Sequence, residues 1–352
     1  MENTLKQFQE RIAAAVAGGT PLRIAGGGSK DWYGNALRGE VLDTRSYTGI
    51  IAYDPTELVI TARCGTPLVE IEAALAERGQ MLAFEPPHFG AGATLGGMVA
   101  CGLSGPRRQS AGSMRDFVLG AVMMDAAGEV LHFGGQVMKN VAGYDVSRLL
   151  TGSMGMLGLL LEVSIKVLPR PVAQYSLRLA MSQEEAIATL NHWGGQPLPI
   201  SASAWHEGWL TLRLSGASAA VEAARRKLGR EELADADGWW AGLREQTHDF
   251  FSGERPLWRL SLPSTTAPLR LQDAQLIEWG GAQRWLRSSA SAGEIRAVAA
   301  HVGGHATLFR GGDKQDEVFH PLGPAVKQIH RNLKSAFDPK GIFNPGRLIQ
   351  DC

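Results

Sequence analysis

Leu22-Arg23-Ile24-Ala25-Gly26-Gly27-Gly28-Ser29-Lys30 is the stretch on which the reading of this chain turns. Four residues of strand character run straight into a triple glycine. Side-chain-free backbone at a strand end lets successive N–H groups converge on one anion. The stretch lacks the Gly-Lys-Ser/Thr ending of a P-loop, and no G-x-G-x-x-G follows a strand anywhere. That removes the usual nicotinamide-dinucleotide fingerprint. Cys101-Gly102-Leu103-Ser104-Gly105 is not a G-x-S-x-G elbow, which argues against a serine hydrolase.

Two further glycine-dense turns lie outward from it. Residues 90–105 contain Thr94-Leu95-Gly96-Gly97-Met98-Val99-Ala100-Cys101-Gly102, and Gly152-Ser153-Met154-Gly155-Met156-Leu157-Gly158 forms the other. Taken singly, each reads as plain turn glycine. Three together in one half of the chain point to a long ligand, with a pyrophosphate at one part and a planar ring at another. Of the 43 glycines, 25 lie between residues 18 and 158, whereas eight of the nine tryptophans lie between Trp193 and Trp285. This shift, with Pro169-Arg170-Pro171 between the two regimes, marks a domain boundary.

The local pattern is α+β without regular βαβ alternation. Leu5, Phe8, Ile12 and Val16 recur at helical spacing before Gly18-Gly19. Residues 50–53, 57–64 and 158–168 read as strands, residues 66–78 as a helix, and 117–124 with 129–133 as a hairpin. In the second half, Ser182 with Glu185 and Ser291 with Glu294 fit the capping box. Residues 210–214 and 258–262 are strand candidates, and 324–337 a helix.

Composition sets limits on function. Lys+Arg and Asp+Glu balance at 35 each, so no global field draws nucleic acid to the chain. Cys64, Cys101 and Cys352 form no CxxC, which argues against a disulfide framework, a thiolate zinc site or an iron–sulfur cluster. No metal site is expected. Met1-Glu2-Asn3-Thr4 shows no secretory n-region and no run of about 20 apolar residues follows, so a cytoplasmic protein is expected.

The succession Gly26-Gly27-Gly28-Ser29, Thr94-Leu95-Gly96-Gly97, Lys139-Asn140-Val141-Ala142-Gly143-Tyr144-Asp145 and Gly152-Ser153-Met154-Gly155 resembles the flavin domain of the vanillyl-alcohol oxidase/p-cresol methylhydroxylase (PCMH) superfamily. Tyr53-Asp54-Pro55-Thr56-Glu57-Leu58, Glu85-Pro86-Pro87-His88, residues 102–108 and Gly303-Gly304-His305-Ala306-Thr307 narrow the likeness. Over essentially the whole chain it resembles the FAD-binding E subunits of bacterial glycolate oxidases. The resemblance implies a PCMH-type FAD-binding domain of two α+β subdomains over 1–170, an α+β cap over 171–315, and a C-terminal segment, 316–352, packing back on the FAD domain. It also implies a second flavoprotein subunit and an iron–sulfur subunit as partners. Such a complex oxidises a small 2-hydroxy acid, glycolate or also D-lactate, and passes electrons towards quinone at the cytoplasmic face of the inner membrane.

By the same resemblance Ala25, Gly26, Gly27, Gly28 and Ser29 cradle the FAD pyrophosphate. Thr94, Gly96, Gly97 and Ala100 line the pyrophosphate and ribityl chain. Ser104, Gly112 and Asp116 follow the same cofactor, and Gly152, Ser153, Gly158 and Val163 flank the ring. The first loop holds no His or Cys, so non-covalent FAD is expected, with Cys101 a small buried thiol. Three departures bear on catalysis. Met154 stands where 2-hydroxy-acid dehydrogenases of this type carry Glu, Leu161 where they carry Thr, and Gly304-His305-Ala306-Thr307 lacks their glutamate. No catalytic residue is therefore named. A self-sufficient FAD dehydrogenase and a redox-inactive assembly subunit remain the alternatives. His301 and His305, four apart, read as turn residues because Gly303-Gly304 breaks helix.

Overall fold

Phe8, Ile12 and Ala15 form the buried stripe of the helix Glu2–Gly18. That stripe packs on Leu22 and Leu42 of a two-stranded parallel sheet, Leu22–Ala25 beside Glu40–Asp43. The computed structural model describes residues 2–135, 144–229, 231–271, 273–314 and 317–351. Next to this small layer stands a five-stranded antiparallel sheet in the order Ile50–Asp54, Val59–Arg63, Leu159–Lys166, Val118–Met124, Val130–Gly134. The helices Leu68–Ala76 and Leu95–Cys101 bury Leu68, Ile71, Leu75, Leu95, Met98 and Val99 in the core on this sheet. Fully burying one such side chain contributes roughly 1.5–3 kcal/mol.

Residues 173–310 build an eight-stranded sheet whose pairings are all antiparallel. Its strands run in the order Glu231–Glu232, Ala173–Ala180, Trp209–Gly216, Ile200–His206, Gln275–Glu278, Gln283–Arg287, Leu257–Ser261, His305–Arg310. Helices Gln183–Gly194 and Ala292–His301 start with the two expected Ser/Glu capping boxes. Ala186, Leu190, Ile295 and Ala299 of those helices are buried in the cores on this sheet. A further core joins Trp240, Leu243, Phe250, Phe251, Trp285 and Phe309 to Tyr33, Leu103 and Met154 of the N-terminal half. Of the adjacent pairs Trp239-Trp240 and Phe250-Phe251, Trp240 and both phenylalanines are buried there and Trp239 packs against them partly buried. A buried ion network latches the two halves: Glu85 accepts from the Arg107 amide at 2.8 Å and from Arg213 Nη2 at 2.9 Å. Burial opposes ionisation of Glu85, but the two guanidiniums outweigh it and hold the carboxyl below its usual range.

The helix Pro324–Phe337 returns to the first half, with Leu333 and Phe337 against the five-stranded sheet. Lys334 donates to the Met156 and Phe343 carbonyls, each at 2.7 Å, and to Asp338 at 2.6 Å. Phe343 bridges Leu22 in parallel, adding a strand-like contact to the two-stranded sheet.

Two local readings differ from the sequence expectation. The strand Glu40–Asp43 has one buried residue in four, so no apolar run marks it. Within the glycine-dense segment 90–105, Leu95–Cys101 is a helix. Thr94 caps it through a 3.3 Å bond from the Gly97 amide, and Gly102 ends it in the left-handed conformation. Burial of Leu95, Met98 and Val99 outweighs the low helix propensity of its two glycines.

Candidate functional site

The three glycine loops meet. A cleft opens between the small parallel sheet and the five-stranded sheet. Of the residues expected to hold FAD, Gly26, Gly27, Gly28, Ser29, Thr94, Gly96, Gly97, Ala100 and Gly158 line it. Ala25 sits at its edge, its carbonyl accepting from the Thr44 amide at 2.9 Å and hydroxyl at 3.1 Å.

The chemistry of the lining is anionic recognition. Among the described residues, the amides of Gly26, Gly27, Gly28, Ser29 and Lys30 donate to no protein acceptor. Polar groups of this kind call for a partner. Lys30 and Arg347 border the same cleft, both buried, and neither forms an ion pair among the described residues. Lys30 Nζ donates to the His88 carbonyl at 3.0 Å, and burial pushes its pKa down. Arg347 is spread over the carbonyls of Asp31, Tyr33 and Asn35. A row of unmet amides beside two unpaired cations fits a pyrophosphate. Cys101 is in the wall too, and burial pushes its thiol up to about 11, so at neutral pH it is no thiolate.

Two of the glycines answer to the protein's own backbone. A Cβ on Gly27 would fall 1.3 Å from the Gly92 carbonyl oxygen, and one on Gly96 would fall 2.8 Å from Cys64 Cβ. The Gly96 amide is also occupied, bonded to the Cys64 carbonyl at 2.8 Å. These positions pin the loops together, and the amides left without a protein acceptor are those of residues 26–30.

Six expected residues lie elsewhere. Ser104 accepts from the Met114 amide at 2.9 Å and faces a separate cavity under the cap sheet. Gly112 follows the short helix Arg108–Ala111, and Asp116 lies in the helix Met114–Phe117, where it accepts from the Ser113 amide at 2.8 Å. Gly152 and Ser153 line a groove beside Leu333 and Leu348. Val163 is buried in the central strand between Ala62 and Ala121. Its side chain is core. Sequence reading missed Thr44, Leu37, Asn344 and Arg347 of the cleft wall. Asn344 donates to the Met154 carbonyl at 2.6 Å and accepts from the Ile24 amide at 2.8 Å. Only the tertiary return of the C-terminus brings it there.

Met154 borders the cleft with φ 55°, whereas Leu161 is buried in the core behind the small sheet. His301 ends its helix and His305 opens the next strand, its ring 6.3 Å from that of His320. Among the described residues no group of three His, Cys, Asp or Glu could hold a metal, and no helix is long and apolar enough to cross a membrane. Residues 139–143 of the Lys139–Asp145 motif lie outside the described residues.

A glycine-loop cleft beside a capping antiparallel sheet defines a flavoprotein of the FAD-linked oxidase class. Residues 3–134 match the family model described as FAD binding domain, and residues 281–348 match FAD linked oxidases, C-terminal domain. The chain is 53% identical to glycolate oxidase subunit GlcE of Escherichia coli (strain K12), over 97% of this chain and 96% of that one. It therefore belongs to the family of FAD-binding glycolate oxidase E subunits, within the PCMH superfamily. It is also 24% identical to a D-lactate dehydrogenase of Archaeoglobus fulgidus, over 94% of this chain and 86% of that one. Glycolate oxidase subunit GlcD of Bacillus subtilis (strain 168) is 30% identical over 43% of this chain and 32% of its own length. The solved alkyldihydroxyacetonephosphate synthase shares the fold, with a TM-score of 0.66 at 16% identity, covering 96% of this chain and 74% of the synthase.

Proposed function

We propose that the chain is the flavin-holding subunit of a multi-subunit complex that oxidises glycolate to glyoxylate. The observation that carries this is the row of unmet amides from Gly26 to Lys30, set beside Lys30 and Arg347 at the cleft. These groups would hold the pyrophosphate of FAD, while Thr94, Gly97, Ala100, Gly158 and Leu160 would wall the rest of the cofactor. Bound FAD supplies a two-electron acceptor for a hydride leaving a CH–OH carbon. Attachment is non-covalent in this reading, because the loop holds no His or Cys and the Cys101 thiol stays protonated.

The same reading divides the chain into a flavin domain, 1–170, a cap, 171–315, and a returning segment, 316–352. The partners are a second flavoprotein subunit and an iron–sulfur subunit, which carries electrons onward to quinone. The complex sits at the cytoplasmic face of the inner membrane. An iron–sulfur relay needs cysteine clusters, and the three scattered cysteines here supply none.

The test is a visible absorption spectrum of the purified protein before and after acid precipitation. A flavin band that passes wholly into the supernatant is expected. A colourless protein that FAD cannot reconstitute would overturn the reading, and a yellow pellet would overturn the non-covalent attachment.

A further inference from the structure

The helix Pro324–Phe337 carries Val326, Ile329, Leu333 and Phe337 on one face, at steps of three and four residues. Leu333 and Phe337 pack against the core of the five-stranded sheet. Val326 and Ile329 do not, and stand 46% and 58% exposed. Lys334 is the one fully buried side chain of the helix. An apolar stripe that outruns the core beneath it leaves a face for another surface to cover. Beside the stripe runs a groove of about 220 Å³. His330 and Leu333 line it from the helix, and Leu149, Met156, Leu157 and Ile349 from the rest of the chain.

The charge around this groove has one sign. Arg115, Arg148 and His330 stand in its wall, and among the described residues no carboxylate does. Arg148 has an exposed partner, Asp145, at 3.1 Å, whereas Arg115 forms no ion pair among the described residues. The Thr151 hydroxyl in the same wall is buried without a hydrogen-bond partner. The remaining cations of the helix are occupied. Lys327 and Arg331 reach Asp351 at 2.5 and 3.2 Å, and Lys334 pairs with Asp338. An anionic membrane would draw on all of those charges, and its flat surface would leave a concave groove empty. A protein segment with apolar side chains set between carboxylates matches both the shape and the sign.

One loop belongs to two sites. Gly152, Ser153, Met156 and Leu157 face the groove, while Met154, Gly155 and Gly158 of the same stretch line the glycine cleft. Ser153 and Met154 are chain neighbours, so their Cα atoms lie about 3.8 Å apart. Whatever fills the groove therefore sits one loop away from the cofactor cleft. We propose that this groove docks the electron-accepting iron–sulfur subunit, through an apolar segment edged with carboxylates. The inference rests on the reading of the chain as a flavin-holding subunit of a complex, and it assigns that partner a surface.

Co-expression with the two partner subunits, followed by capture through a tag on this chain, tests it. Iron, flavin, subunit masses and melting temperature are measured on each captured sample. Ile329→Asp is expected to lower captured iron at least tenfold, and Arg115→Glu at least threefold, with flavin content and melting temperature unchanged. Val172→Asp, at an 85% exposed valine outside the groove, is expected to leave iron at the parent level. Undiminished iron in both groove variants overturns the proposal, and Arg115→Glu decides alone if Ile329→Asp melts early. Loss of the second flavoprotein subunit instead of iron, or of a homodimer, overturns the choice of occupant. So does binding of the parent chain to phosphatidylglycerol vesicles that Ile329→Asp abolishes. A parent chain that captures neither subunit refutes the complex reading itself, and the groove assignment falls with it.

Discussion

In the glycine cleft the unmet polar groups are main-chain amides; in the cavity beneath the cap sheet they belong to long side chains. The cleft walls carry small residues such as Gly26, Gly28, Gly97 and Ala100, and its polarity comes from unmet N–H groups. The cavity carries Arg259, Gln246 and Glu278 among Phe89, Trp285 and Phe309. A backbone site tolerates changes of side-chain chemistry but not of volume. A side-chain site tolerates volume only where its charges and hydrogen bonds survive. The two regions should therefore fail under different substitutions.

The largest effect is expected from adding volume to the cleft. Ala100→Phe should lower FAD affinity by at least 100-fold, about 2.7 kcal/mol or more. Fluorescence titration of the deflavinated protein measures it. Retained affinity would place the cofactor elsewhere.

Next comes the latch between the regions. Glu85→Gln leaves Arg107 and Arg213 buried without their carboxylate. A loss of about 3 kcal/mol is expected, in line with breaking a buried ion pair, and denaturant unfolding monitored by tryptophan fluorescence reads it. A change below about 0.5 kcal/mol would mean that the halves hold together by apolar contact alone.

Glu278 yields a pH-dependent effect of similar or smaller size. Its folded pKa, about 7, lies above the unfolded value of 4.5, so the folded state binds the extra proton. Stability is then intact below about pH 4.5 and falls as pH rises through 7. The difference between those two values corresponds to about 3.4 kcal/mol at most. Glu278→Gln should remove this dependence, so its stability relative to the parent rises between pH 5 and 8. A flat difference across that range would show that the carboxyl ionises freely.

The smallest effect is at Cys101. Cys101→Ala should change FAD affinity by less than about twofold, and the flavin should remain extractable by acid. Loss of an acid-stable yellow colour in that variant would mean that the thiol tethers the cofactor.

This contrast also governs what could be read from the chain in advance. The cleft was legible because glycine is informative in one dimension: Gly26, Gly27, Gly28, Thr94 and Gly97 fall in short clusters beside strands. The strands 50–54, 118–124 and 159–166 and the helix Pro324–Phe337 were legible from periodicity and caps. Arg347 and Asn344 were not, because they reach the cleft only through the return of the C-terminus. The cavity under the cap was invisible for the same reason. Gln246, Arg259 and Glu278 come from three separate elements and show no spacing. Leu95–Cys101 looked like a turn because its glycines carry low helix propensity, while the packing that overrides it is tertiary.

The bridge from Leu22 to Phe343 has a consequence for biosynthesis. The small sheet built on Leu22–Ala25 is completed by residues translated about 320 positions later. At roughly 5–20 residues per second, the ribosome needs about 16–64 seconds to deliver them. During that interval the nascent amino-terminal lobe exposes the apolar surface that Ile342 and Phe343 later cover. Chaperone engagement should concentrate there until residues 342 and 343 emerge.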